Sequence, residues 1–144
     1  MPTSWLQLTV TLSPPKNPII LIPARLASTR LPNKPLALIA GVPMIVHVWR
    51  RALAAEIGPV VVACGDRAIA EAIEQEGGRA VITDPALPTG SDRIHAAITR
   101  LDPERAHDAV INVQGDMPML DPAAIRLALA ALAEPETDIA TLAA

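Results

Sequence analysis

Arg25, Arg30 and Lys34 fall within ten residues that contain no carboxylate, in a chain of net charge −3 whose only other lysine is Lys16. They follow the apolar run Ile19-Ile20-Leu21-Ile22 and a break at Pro23. Guanidiniums can grip phosphate oxygens bidentately while an ammonium acts as a point charge. A cationic loop at the carboxyl end of a buried strand is where an α/β protein holds an anion. The alternative is a solvated loop whose charges aid solubility, and composition does not decide between them.

Two further stretches carry candidate chemistry. Asp116 closes the run Asn112-Val113-Gln114-Gly115 just past an apolar strand. Its carboxylate either balances the three cations or holds Mg²⁺, which is usually bound by one or two carboxylates plus substrate phosphates. Thr89-Gly90-Ser91-Asp92-Arg93 follows another strand. It reads either as an anion site at a helix N-terminus or as an ordinary cap by Ser91 or Asp92 with Arg93 exposed.

Other chemistries lack their residues. There is no glycine-rich dinucleotide fingerprint after the first strand and no Walker lysine motif. His47, His95 and His107 are scattered without metal-ligand spacing and read as surface or helix-flank residues. Cys64, the only cysteine, ends an apolar run and reads as a buried, inert thiol; no intrachain disulfide is possible. What remains is phosphoryl or nucleotidyl transfer by positioning and charge, without a covalent intermediate.

The elements that must position these loops follow from apolar periodicity. Ile19–Ile22 and Val60–Ala63 are short apolar runs of the kind that form strands covered on both faces, and Ala80–Thr83 and Ala109–Val113 read as a third and a fourth strand. A fifth strand is expected over Asp138–Leu142. Between them, Ile45, Val48, Trp49, Ala52 and Leu53 recur on one helical face after Pro43. Ile69, Ala72 and Ile73 form a second stripe, with Asp66 as N-cap and Gly77-Gly78 as stop. Ile94, Ala97, Ile98 and Leu101 form a third. Ile125, Ala128, Leu129 and Leu132 form a fourth, started by Asp121-Pro122. This alternation predicts an α/β fold with a doubly wound, mostly parallel sheet.

Composition agrees. In 144 residues, 51% are apolar, yet the aromatics are Trp5 and Trp49 alone, so the core is built from Ala, Leu, Ile and Val. Few aromatics and a net negative charge argue against stacking platforms and against a nucleic-acid footprint. No apolar run approaches the roughly 18–20 residues that span a bilayer, and the N-terminus lacks a signal-peptide pattern. The expectation is a cytoplasmic protein with no membrane partner. Residues 1–17 read as an extension, with Leu6–Val10 as a weak strand, and 18–144 as the folded unit. The unit stops on an apolar strand with no helix after it.

The loops together resemble a known family. Ile22-Pro23-Ala24-Arg25 through Ser28-Thr29-Arg30-Leu31-Pro32-Asn33-Lys34-Pro35-Leu36 is similar to the signature loop of the 3-deoxy-manno-octulosonate (KDO) cytidylyltransferases. Gly41–Val48, Thr89–Arg93, Asn112–Asp116 with Pro118, and Ala140-Thr141-Leu142 continue the resemblance in order. It implies a sheet of the nucleotide-diphospho-sugar transferase type, truncated at its C-terminal side, since family members are much longer than this chain. The implied reaction is CTP plus KDO giving CMP-KDO and pyrophosphate, which supplies lipopolysaccharide biosynthesis. The implied site comprises Arg25, Lys34 and Asp116 as the catalytic charges, with Asp116 on Mg²⁺. Ala24, Ser28, Arg30, Gly90, Arg93 and Gln114 would bind substrate. The implied partners are CTP, KDO and, for full-length members, a second subunit.

Departures are Val42 where lysine is usual, Met117 where glutamate is usual, and Ala63-Cys64-Gly65-Asp66 in place of an Ala-Thr-Asp pattern. The second metal-binding aspartate, most of the sugar pocket and the dimer contacts would belong to the part that this chain lacks. The alternatives are a CMP-sialic acid synthetase-like enzyme, against which Lys34-Pro35 and Thr89–Arg93 weigh, and a non-catalytic CTP-binding remnant.

Overall fold

The computed structural model describes residues 15–27, 32–133 and 139–142. The expected weak strand at Leu6–Val10 lies outside them. In chain order the elements are β1 (Pro18–Ala24), β2 (Leu38–Ile39), β3 (Val42–Pro43), α1 (Met44–Ala54), β4 (Val60–Cys64) and α2 (Arg67–Gln75). Then come β5 (Arg79–Ile82), α3 (Gly90–Leu101), β6 (Ala109–Val113), α4 (Pro122–Ala131) and β7 (Ile139–Leu142).

Five strands form one sheet in the order β5-β4-β1-β6-β7, every neighbouring pair parallel. The apolar runs are continuous because both faces are covered. Ile20, Ile22, Val60, Val62, Ile111 and Val113 face a core shared with Ile45, Val48 and Trp49 of α1, Ile69 and Ile73 of α2, and Ile125 of α4. The alternate residues Ile19, Leu21, Val61 and Ala63 pack against Ile94 and Ala97 of α3. Successive strand side chains point to opposite faces, so each strand divides between two cores.

Several boundaries differ from the sequence reading. β1 continues through Pro23 to Ala24, and β5 starts at Arg79 and ends before Thr83. The α3 cap is neither Ser91 nor Asp92: Thr89 is the N-cap, and its side chain accepts from Asp92 N. Asp66 occupies the N-cap position of α2, but its carboxylate makes no capping bond there. Asp121 caps α4 as expected, accepting from Ala123 N, with Pro122 opening the helix. The antiparallel hairpin β2–β3 is unforeseen; Ala40 (φ 53) and Gly41 (φ 79) both adopt the positive φ of a tight two-residue turn.

Strands after β1 add on one side of it (β4, then β5), and β6 and β7 add on the other. The order therefore reverses between β1 and β6, and ligands of open α/β sheets bind outside the carboxyl ends at such a point. Register widens the opening there. The β1–β6 ladder ends at Leu21↔Asn112, whereas the β1–β4 ladder runs on to Ala24↔Cys64.

Candidate active site

A cavity of about 420 Å³ occupies this crevice, lined from β1 and its loop, the loop after β5, and the loop after β6. Its lining includes Ala24, Arg25, Lys34, Gly90, Arg93, Gln114 and Asp116. Every expected site residue within the described part of the chain thus reaches one cavity. The remaining two, Ser28 and Arg30, lie outside the described residues.

The basic loop has a closed neck. Leu26 N donates to Asp66 Oδ2 at 2.8 Å, and Asn33 N donates to Leu26 O at 3.0 Å. Asn33 sits in the left-handed region (φ 61), which asparagine tolerates better than most residues. Just outside the neck, Arg25 is exposed, and its Nη1 donates to Leu87 O at 3.4 Å. Lys34 opens a 3-10 turn over Lys34–Leu36, and its Nζ stands 3.8 Å from Asp116 Oδ2. With the two side chains 41% and 56% exposed, this pair contributes little to stability. It leaves both charges accessible to a ligand.

Arg93 overturns the reading of an exposed residue beside a cap. It is 2% exposed. Its Nη1 donates to Thr83 Oγ1 and to Asp84 O, while Nη2 has no partner among the described residues. Burial lowers its pKa, and the nearby Arg25 charge lowers it further, against opposing pulls that include Asp66 and Asp84. Arginine still carries its proton at neutral pH. The result is a desolvated cation on the cavity wall. Burial also pushes the Cys64 thiol up, in keeping with an inert role.

Two glycines let the loops close. A Cβ on Gly115 would stand 2.6 Å from Pro23 O, and one on Gly90 would stand 3.2 Å from Pro23 Cγ. The sequence reading missed Gly115 as a site element, although a glycine directly after a buried strand is the usual sign of close backbone approach. It also missed Thr83, which anchors Arg93. It placed Asp66 at the N-cap of α2 but missed the bond that its carboxylate accepts from Leu26 N.

No group of three or more His, Cys, Asp or Glu side chains able to hold a metal occurs among the described residues. Asp116 is the one carboxylate among the described lining residues. That donor set suits Mg²⁺, which keeps several waters and takes its other ligands from substrate phosphates. It does not suit a metal needing an all-protein cage. Cations on two walls with one accessible carboxylate between loops make a place for a polyphosphate.

Residues 19–144 match the family model described as cytidylyltransferase. The chain belongs to the cytidylyltransferase family. Among curated relatives of this family, the 3-deoxy-manno-octulosonate cytidylyltransferase of Rhodospirillum centenum is 65% identical over 130 residues, covering 90% of this chain and 51% of the relative. The enzyme of the same name from Methylorubrum extorquens strain PA1 is 62% identical over 128 residues, covering 89% of this chain and 52% of the relative. Among solved structures, CMP:2-keto-3-deoxy-manno-octonic acid synthetase complexed with CTP superposes with a TM-score of 0.76 at 38% identity. That match covers 83% of this chain and 48% of the other. A nucleotidyl transferase from Methanothermobacter thermautotroptrophicus, at 22% identity and a TM-score of 0.64, shares the fold. This member of the cytidylyltransferase family spans about half the length of the curated relatives it matches.

Proposed function

We propose that this chain is the nucleotide-binding part of an enzyme that transfers CMP from CTP to the anomeric hydroxyl of KDO, releasing pyrophosphate. The carrying observation is the convergence of Arg25, Lys34, Arg93 and Asp116 on one cavity at the strand-order reversal. The relatives' names and the CTP-complexed neighbour support the choice of nucleotide and sugar.

In this reading Arg25 and Lys34 bind the triphosphate, with Ser28 and Arg30 in the same loop. Gln114 and Ala24 border the nucleotide, and Gly90 and Arg93 border the nucleotide and sugar sites. The anomeric oxygen attacks the α-phosphorus in line, the bond to the bridging oxygen breaks, and the hydroxyl proton is lost. Pre-placed cations stabilise the charge that develops on the phosphoryl and pyrophosphate oxygens; one pre-placed donor in an oxyanion hole is worth a factor of about 10²–10³. Asp116 would hold Mg²⁺, which when bound supplies charge neutralisation at the phosphates. The product is an activated sugar for lipopolysaccharide synthesis, made in the cytoplasm. The full-length enzyme would work as a homodimer.

A second reading is a CTP-binding remnant without turnover. Pyrophosphate release dependent on both CTP and KDO separates the two states of the protein. The 144-residue chain should show little, and a version extended to the relatives' length should show it. Robust turnover by the short chain would overturn the need for the remaining half, and none by the extended chain would overturn the activity.

A further inference from the structure

We propose that Asp66 is a positioning residue of the site, acting through the neck of the basic loop; this rests on the CTP-binding reading above. An aspartate at a helix N-cap ordinarily accepts from the second or third helical N–H. Asp66 holds that position on α2 and makes no such bond. Its Oδ2 instead accepts from Leu26 N, 40 residues earlier, at 2.8 Å.

Leu26 is the hub of that neck. Its N–H goes to Asp66 and its carbonyl accepts from Asn33 N at 3.0 Å. The two bonds pinch the loop shut between residues 26 and 33. Arg25 immediately precedes the pinch and Lys34 immediately follows it. Both cations that line the cavity from the described part of this loop therefore take their backbone position from a single carboxylate on the next βα turn. The same turn is fastened to β1 by Gly65 N donating to Ala24 O at 3.0 Å. The negative charge of Asp66 also favours the charged form of Arg93, the buried cation in the cavity lining. Asp66 is not among the residues that line the cavity, and its effect is on where the cations stand.

The test has two independent readouts on the 144-residue chain. Without nucleotide, amide hydrogen exchange should show Leu26 and Asn33 protected at least about 10-fold over their intrinsic rates, which corresponds to about 1.4 kcal/mol. An unprotected Leu26 amide overturns the proposal, whatever the chain binds. With CTP titrated by calorimetry, Asp66→Ala should weaken binding about 10-fold or more, chiefly by loosening the loop. Asp66→Asn, whose amide oxygen can still accept from Leu26, should restore both exchange protection and affinity to within about threefold. Equal loss in the two variants, or wild-type affinity in Asp66→Ala, overturns the proposal. If Asp66→Ala does not fold, Asp66→Asn and the exchange measurement on the unaltered chain decide it. A wild-type chain that fails to bind CTP but protects Leu26 refutes the nucleotide reading and leaves the loop neck standing.

Discussion

At the amino end of β6, Asp102 accepts from Ala106 N at 2.7 Å and from His107 N at 2.8 Å. Asp108 accepts from Lys16 N at 2.6 Å and Asn17 N at 2.9 Å, and Asn17 Nδ2 donates to Ala106 O at 2.8 Å. Both carboxylates are matched to backbone N–H groups; Asp102 fastens its own loop, and Asp108 with Asn17 ties the start of β1 to the start of β6. At the carboxyl end of the same strands the pattern inverts. Arg25 has one long bond to a carbonyl, Lys34 a loose ion pair, and Arg93 an unpartnered Nη2 among the described residues. Charge satisfied inside the protein holds structure together; charge left facing a cavity is available to a ligand. The contrast locates function more firmly than the number of charges at either end, because both ends are rich in them.

Substitutions at the two ends should separate affinity from stability. The largest effect is expected from Arg25→Ala combined with Lys34→Ala. A charge-assisted hydrogen bond contributes about 1.5–3 kcal/mol, so CTP binding by calorimetry should fall about 100-fold or more, with little change in melting temperature. Unaltered affinity would place the nucleotide elsewhere. Next comes Asp116→Ala. Addition of Mg²⁺ should raise wild-type affinity for CTP by about tenfold and leave the variant unchanged. A magnesium response that survives the substitution removes Asp116 as a ligand.

The smallest effect belongs to the other end. The N–H groups of His107 and then Ala106 hold the Asp102 carboxyl below its usual range. Its folded pKa is thus depressed, so its contribution to stability is present above the unfolded value of about 3.9 and is lost as pH falls through the lower folded value. Asp102→Ala should lower the melting temperature at neutral pH, narrow its gap to wild type in acid, and leave CTP affinity within about twofold. A loss of affinity there would erase the contrast between the two ends.

Much of this was legible in the chain. The five strands and four helices follow from apolar runs and stripes, since a sheet buried on both faces needs β-branched residues without alternation. Arg25, Lys34 and Asp116 were legible as site candidates from their place at strand ends. The misreadings share a cause: they turn on long-range partners. Asp66 has the local signature of a cap, and only the tertiary approach of Leu26 gives its carboxylate another task. Arg93 has the local signature of an exposed first-turn residue, and only Thr83 and Asp84 draw it inward. The hairpin β2–β3 contains two residues per strand and offers no periodicity to detect.

The buried Arg93 carries a consequence for the energetics of the fold. Desolvation and then the neighbouring, exposed Arg25 act against its charge, while Asp66 and Asp84 favour it. A bound polyanion relieves the repulsion from Arg25, and any ligand that prefers the folded state stabilises it by mass action. Under the proposed CTP-binding function, thermal resistance should rise with nucleotide concentration, linking the protein's lifetime to the supply of its ligand.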